Sequence, residues 1–212
     1  MIPAFQVYLF DVDGTLVDSA IDIVGAIQGV LASTPRADVS FDFIKGYIGR
    51  HLVDLFQDLF PDYTEEQIDA LVVEYRRLYP LRNHASTKAY SGVAAALAQI
   101  GGRKSTATTK GTPTTRLVLE RFGLLPYFDH VQGTDGFPAK PNPDVIFKAL
   151  EGLGGSPEQC LFVGDSPADI EAAHRAGVKS CAVTYGYGKQ EELAKWRPTF
   201  WASHLSELST KR

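Results

Sequence analysis

Several things are scarce in this chain, and each absence excludes something. No apolar run is long enough to cross a bilayer, which takes about 20 residues, so no membrane partner is expected. No Lys/Arg-rich block occurs; 21 basic against 25 acidic residues leave a formal charge of −4, which argues against nucleic acid as a partner. There are two cysteines, Cys160 and Cys181, each inside an apolar strand-like run. Buried free thiols in a reducing compartment are expected, not a disulfide framework. The opening Met1-Ile2-Pro3-Ala4 lacks the basic-then-apolar pattern of a secretory signal, so a cytoplasmic location is the expectation. Internal repeats and low-complexity segments are also missing.

What is present begins with Asp11-Val12-Asp13-Gly14-Thr15. Two carboxylates stand two residues apart at the end of an apolar run, Phe5 to Phe10, which reads as a buried strand. Gly14 permits a sharp exit from it. A charged pair at a strand end has no packing use, and in open α/β sheets that edge is where ligands bind.

Residues 20 to 83 read as helices. Ile23, Val24, Ile27, Val30 and Leu31 mark one apolar face; Leu52, Leu55, Phe56 and Leu59 mark a second; Ile68, Leu71, Val72, Tyr75 and Tyr79 mark a third. Thr64-Glu65-Glu66-Gln67 has the pattern of a capping box. Beyond about residue 88 helices and strands alternate. Helices are expected over Ser91–Ile100, from Thr112-Pro113, over Pro143–Leu153 and from Ser166-Pro167 to Gly177. Strands are expected over Arg103–Thr109, Phe128–Gln132, Cys160–Val163 and Val178–Thr184. Such alternation predicts an α/β fold, a doubly wound parallel sheet with helices on both faces. The simplest division is a core of residues 1–17 and 84–212, interrupted after the first strand by a helical insert, 18–83.

Four groups follow the core strands: Asp11 with Asp13; Thr108-Thr109; Lys140 in Lys140-Pro141-Asn142-Pro143; and Gly164-Asp165-Ser166-Pro167-Ala168-Asp169. In a parallel sheet their strand ends share one edge, so they can converge. Taken together, in this order and spacing, they resemble the four motifs of the haloacid dehalogenase superfamily of phosphotransferases, most of all its phosphoglycolate phosphatase-like members. Asp11 to Ser19 resembles the opening of those members, and Cys181 to Gly188 their closing segment.

The resemblance implies a Rossmann-like core with a helical cap that closes over the active site, hinging near 16–18 and 83–87. It implies Mg²⁺-dependent hydrolysis of a small phosphate monoester, with 2-phosphoglycolate the first candidate substrate. Asp11 would be the nucleophile and form an aspartyl-phosphate; a carboxylate is already ionised at neutral pH and needs no base to attack. Asp13 would be general acid and then base. Lys140 and Mg²⁺ would offset the charge of Asp11, Asp165 and the phosphate, with Asp11, the Asp13 carbonyl and Asp165 as metal ligands. Asp169 would bind metal through water or hold Lys140. Gly14, Thr15, Thr109 and Arg50 would contact substrate, and Thr108 would hydrogen-bond a phosphate oxygen. A monomer or homodimer is expected.

Alternatives stay open at several positions. Ser166-x-x-Asp169 is also a capping-box pattern, so Asp169 can serve a helix start alone. The strand before Thr108 is unusually polar, and Thr109 stands where the family usually has Asn, so the phosphate-binding residue is Thr108 or Thr109. Asp18 and Ser19 can cap the first helix of the insert. Arg50 and His51 either touch substrate or lie in a solvated loop. Lys45, the only lysine between residues 18 and 83, reads as an exposed helix residue, and His84, His130, His174 and His204 show no ligand spacing. The same motifs occur in sugar phosphomutases of the β-phosphoglucomutase type, and a non-catalytic phosphate-binding module on this fold is a further possibility.

Overall fold

A computed structural model describes residues 2–208; Met1 and the last four residues of the expected core, 209–212, lie outside the described residues. The strands are β1 (Val7–Phe10), β2 (Val17–Asp18), β3 (Lys88–Ala89), β4 (Arg103–Thr106), β5 (Cys160–Gly164), β6 (Lys179–Val183) and β7 (Phe200–Ala202). The helices are α1 (Ala20–Leu31), α2 (Phe41–Lys45), α3 (Leu52–Leu59), α4 (Glu65–Leu78), α5 (Val93–Gln99), α6 (Thr112–Arg121), α7 (Asp144–Leu153), α8 (Pro167–Ala176) and α9 (Gln190–Lys195).

Five strands form a parallel sheet in the order β4-β1-β5-β6-β7. β1 lies inside the sheet, between β4 and β5, and is apolar on both faces. Tyr8 and Phe10 pack on one side with Leu161, Val163, Val118 and Leu97. Val7 and Leu9 pack on the other with Phe162, Ile146, Leu150 and Ala173. The period of two sends alternate side chains to opposite faces. It also separates the cysteines: Cys160 and Cys181 are buried free thiols in the clusters on opposite faces of the sheet. Burial pushes both thiols up to about 12. The chain leaves β1 for β4 on one side and β5 on the other, so a crevice opens at the carboxyl ends of these three strands.

α1 to α4 pack on one another around a separate apolar cluster that includes Ile27, Leu31, Ile44, Phe56 and Val72. Thr64 forms the expected capping box: its hydroxyl accepts from Gln67 N at 3.3 Å, and Gln67 Oε1 accepts from Thr64 N at 2.9 Å. The chain enters and leaves these helices through a two-stranded antiparallel ribbon, β2 against β3, pairing Val17 with Ala89 and Asp18 with Lys88. Asp22, buried at the start of α1, accepts from Ser86 N at 3.0 Å and from the Thr87 hydroxyl at 2.7 Å. The two connecting segments are therefore stitched together.

Two expected strands differ. β4 stops at Thr106, and Phe128–Gln132 makes only an isolated bridge, Ser105 with His130. The polar side chains of β4 bond directly to the second of these segments. Thr106 Oγ1 donates to Gln132 O and accepts from Gln132 N, each at 2.9 Å, while Ser105 Oγ meets His130 Nδ1 at 3.0 Å. Asp129 Oδ2 takes the Lys104 N–H at 2.7 Å. Side chains thus supplement the backbone bonds from Asp129 N and His130 N to Lys104 O along this edge, and β4 is covered although it reads as polar.

Candidate active site

The four groups at the strand ends meet. Asp11 and Asp13 continue from β1, Thr108 follows β4, Asp165 follows β5 and Asp169 lies in the first turn of α8. Lys140 arrives from the loop before α7, fully buried. Its ammonium donates to Asp11 Oδ1 at 2.9 Å, Asp169 Oδ1 at 2.5 Å and the Ala107 carbonyl at 3.1 Å. Burial pulls this ammonium's pKa down, but Asp11 and Asp169 outweigh it and hold Lys140 charged above the usual lysine range.

Asp169 performs two tasks at once. Its Oδ1 faces Lys140. Its Oδ2 accepts from Ser166 Oγ at 2.7 Å, Ser166 N at 2.9 Å and Asp165 N at 3.2 Å, while Ser166 Oγ accepts from Asp169 N. The capping box is real, and it is what orients the carboxylate toward the lysine.

Asp165 is clamped. Thr15 Oγ1 donates to its Oδ1 at 2.9 Å and Tyr187 N to its Oδ2 at 2.8 Å. A Cβ at Gly14 (φ +91°) would lie 2.2 Å from Asp165 Oδ2, and one at Gly186 2.3 Å from Asp165 Cβ. Gly14 and Thr15 therefore serve the Asp165 carboxylate, and the Thr15 side chain is turned to it in the interior.

Asp11, Asp165 and Asp169 each have an oxygen within 4.8 Å of the others. Burial raises the Asp11 pKa to about 6, against the opposing pull of Lys140, and raises that of Asp165, with the neighbouring Asp169 and Asp11 charges adding to it. Among the described residues, Asp165 has no cationic partner and Asp11 Oδ2 no hydrogen-bond donor. Four acidic side chains, Asp11, Asp13, Asp165 and Asp169, face two ammonium groups, Lys110 and Lys140. The excess of two negative charges, in hard oxygen donors, fits one divalent cation of the Mg²⁺ type. Asp169, with both oxygens engaged, is the least available to it.

Sequence reasoning missed Lys110. Its buried ammonium lies 3.2 Å from Asp13 Oδ2, donates to the Tyr79 hydroxyl at 3.0 Å and sits 4.4 Å from the Tyr79 ring centroid. Burial opposes its charge, but Asp13, Tyr79 and Tyr75 together keep it protonated above the usual range. A lysine before glycine in a loop carries no local sign of this. Ser19 also differs from the capping role that the sequence offers it. It makes no side-chain cap on α1; its hydroxyl donates instead to Asp13 Oδ1 at 2.6 Å. Tyr187, within the Cys181–Gly188 segment, is a further residue of this kind. Its hydroxyl accepts from Ser19 N at 2.7 Å and Ala20 N at 3.0 Å and donates to Asp18 Oδ1 at 2.9 Å. Lys45 lies over its ring, 5.2 Å from the centroid.

A cavity of about 860 Å³ separates this strand edge from α1–α4. Asp13, Thr109 and Lys110 line it from the sheet side, and Arg50 and His51 from the helical side, where both are exposed. The Arg50 guanidinium rests 5.2 Å from the Tyr47 ring centroid. Thr108 is buried beside Ala107; its Oγ accepts a long 3.4 Å bond from Lys110 N, and its own proton has no acceptor among the described residues. His84 packs edge-on to Tyr79, His130 bonds Ser105, and His174 and His204 are exposed, so none joins the site.

Comparison with known proteins identifies the family and the fold. The family model for haloacid dehalogenase-like hydrolases matches residues 8–183. A phosphoglycolate phosphatase of Aquifex aeolicus is 35% identical over 208 residues, spanning 96% of this chain and 94% of that protein. The pyrophosphatase PpaX of Bacillus pumilus is 30% identical over 204 residues, spanning 94% and 93%. A solved haloacid dehalogenase-like hydrolase from Bacteroides fragilis superposes with a TM-score of 0.91 at 29% identity, covering 96% of this chain and 99% of that one.

Proposed function

The chain belongs to the haloacid dehalogenase-like hydrolase family, and we propose that it is a Mg²⁺-dependent phosphatase that hydrolyses a small phosphate monoester through an aspartyl-phosphate. The observation that carries this is the Lys140–Asp11–Asp169 ion-pair group beside a buried Asp165 that lacks a cation. A similar protein named for phosphoglycolate and another named for pyrophosphate make 2-phosphoglycolate the first substrate to test, not the only one.

In this mechanism Asp11 attacks phosphorus through Oδ2, the oxygen without a donor, while Lys140 holds Oδ1. The ester P–O bond breaks, and Asp13, which must be in its carboxyl form for this step, gives its proton to the leaving oxygen; the carboxylate left behind pairs with Lys110. Asp13 then takes a proton from the water that cleaves the acyl phosphate, regenerating Asp11. Ser19 and Lys110 hold Asp13 in place between the two steps. Thr108 offers its free hydroxyl proton to a phosphate oxygen. Asp11, Asp165 and the Asp13 main-chain carbonyl would hold the cation, which supplies charge neutralisation of the phosphoryl group. Asp169 acts through Lys140 and helix α8. α1–α4, residues 18–83 with their linkers, act as a cap that excludes water from the first step. The same reading takes it as a cytoplasmic monomer or homodimer. Among the described residues no helix is long and apolar enough to cross a membrane.

The test is phosphate release from 2-phosphoglycolate and p-nitrophenyl phosphate with Mg²⁺. Asp11→Asn should abolish it with the fold intact, and Asp13→Asn should accumulate an enzyme heavier by one phosphoryl group. Retained turnover in Asp11→Asn would overturn the assignment.

A further inference from the structure

The cavity above the site is larger than a two-carbon acid phosphate requires. Cavities of about 300–1,000 Å³ enclose drug-sized ligands, and this one measures about 860 Å³. Its two sides differ in chemistry. The sheet side presents Asp13, Thr109 and Lys110. The apolar part of the helical side is Ile23 and Ile27 of α1, Val72 and Tyr75 of α4, and Tyr79. Those five carry two polar side-chain atoms between them, the tyrosine hydroxyls, and the Tyr79 hydroxyl is already bonded to Lys110. The rings of Tyr75 and Tyr79 stack 5.5 Å apart at 16° and form a flat aromatic panel. Arg50, His51 and, on α4, Arg76 also line the cavity, and all three are exposed.

A sugar or a nucleotide base buried against this wall would leave hydroxyl and amide groups without partners, which is unfavourable. An apolar ring or branched chain would bury against it at a gain. We infer that the preferred substrate is a phosphate monoester whose alcohol carries an apolar group about the size of an aromatic ring, seated between α1 and α4. The inference rests on the phosphatase reading and names the substrate class of that site.

Benzyl phosphate and ethyl phosphate test it, because both lose an alkoxide and differ chiefly in the group that would meet the apolar wall. With the full chain and Mg²⁺, kcat/KM for benzyl phosphate should exceed that for ethyl phosphate by about tenfold or more. Benzylphosphonate should inhibit, and bind by calorimetry, about tenfold more tightly than methylphosphonate. Val72→Phe, which fills the cavity, should reduce the benzyl-to-ethyl ratio about fivefold or more; if that variant fails to fold, the phosphonate comparison on the unaltered chain decides. Equal rates and equal phosphonate affinities would overturn the inference and leave the phosphatase reading intact. No turnover of any ester would remove the phosphatase reading, and tighter benzylphosphonate binding would then still uphold the apolar seat.

Discussion

The Lys140 ammonium and the Asp169 carboxylate meet at 2.5 Å in the interior, and the other oxygen of that carboxylate caps helix α8. One residue links the start of a helix to the charge at the centre of the site.

Removing that link has two separable effects. Asp169→Asn keeps an oxygen for the cap but loses the charge facing Lys140. Asp169→Ala loses both, and should cost about 3–5 kcal/mol for the broken buried pair, with about 1 kcal/mol more for the cap. Denaturant unfolding should rank the variants wild type, Asn, Ala, with turnover strongly reduced in both. Equal stability of the two variants would deny the capping contribution.

Gly14→Ala should disable metal use more than folding. The new methyl would occupy the place of the Asp165 carboxylate, and φ at this residue is +91°. The expected result is a folded, less stable protein whose thermal midpoint no longer rises with Mg²⁺. A normal Mg²⁺-dependent rise would show that Asp165 can move aside and still bind.

Proton and metal should compete. A carboxyl whose pKa is raised on folding favours the folded state at low pH, and that contribution is lost as pH rises from its unfolded value, 3.8 for Asp11, to its folded value, about 6. At about 1.4 kcal/mol per pH unit this amounts to about 3 kcal/mol for Asp11, and Asp165 acts in the same direction. The Mg²⁺-induced rise in thermal midpoint should therefore be small near pH 4.5 and grow toward pH 7. A pH-independent rise would place the cation elsewhere.

Lys110→Met should lower turnover by about 10²-fold or more by leaving Asp13 without its cation. Tyr79→Phe removes only the hydroxyl on Lys110 and should cost less than about tenfold. Steady-state kinetics on both variants checks the order; equal effects would mean that Tyr79, not the ion pair, governs Asp13.

Arg50→Ala should change relative rates among substrates more than the rate on p-nitrophenyl phosphate, because Arg50 lines the exposed rim of the cavity. A uniform loss across substrates would remove it from specificity.

Much of this protein could be read from residue order alone. The alternation after residue 88 specified a parallel sheet, and the acids at the ends of β1 and β5 fell where such a sheet binds ligands. The Thr64 and Ser166 capping boxes were equally legible, because a cap involves residues three apart. These are local signals: periodicity reports burial and short spacing reports hydrogen bonds.

Other features depend on partners brought together across the chain. The Lys140–Asp11 pair spans 129 residues and Thr15–Asp165 spans 150, so no local pattern could reveal that Thr15 serves Asp165. Lys110 is buried because Tyr79, from the end of the helical segment, folds over it. Phe128–Gln132 is held to β4 by one isolated bridge and by the side chains of Ser105 and Thr106, partners that exist only once the two segments lie side by side. Composition and periodicity determined which residues would be buried and where the acids would stand. Folding decided which charge each acid meets, because Coulomb and hydrogen-bond energies depend on distances that exist only in three dimensions.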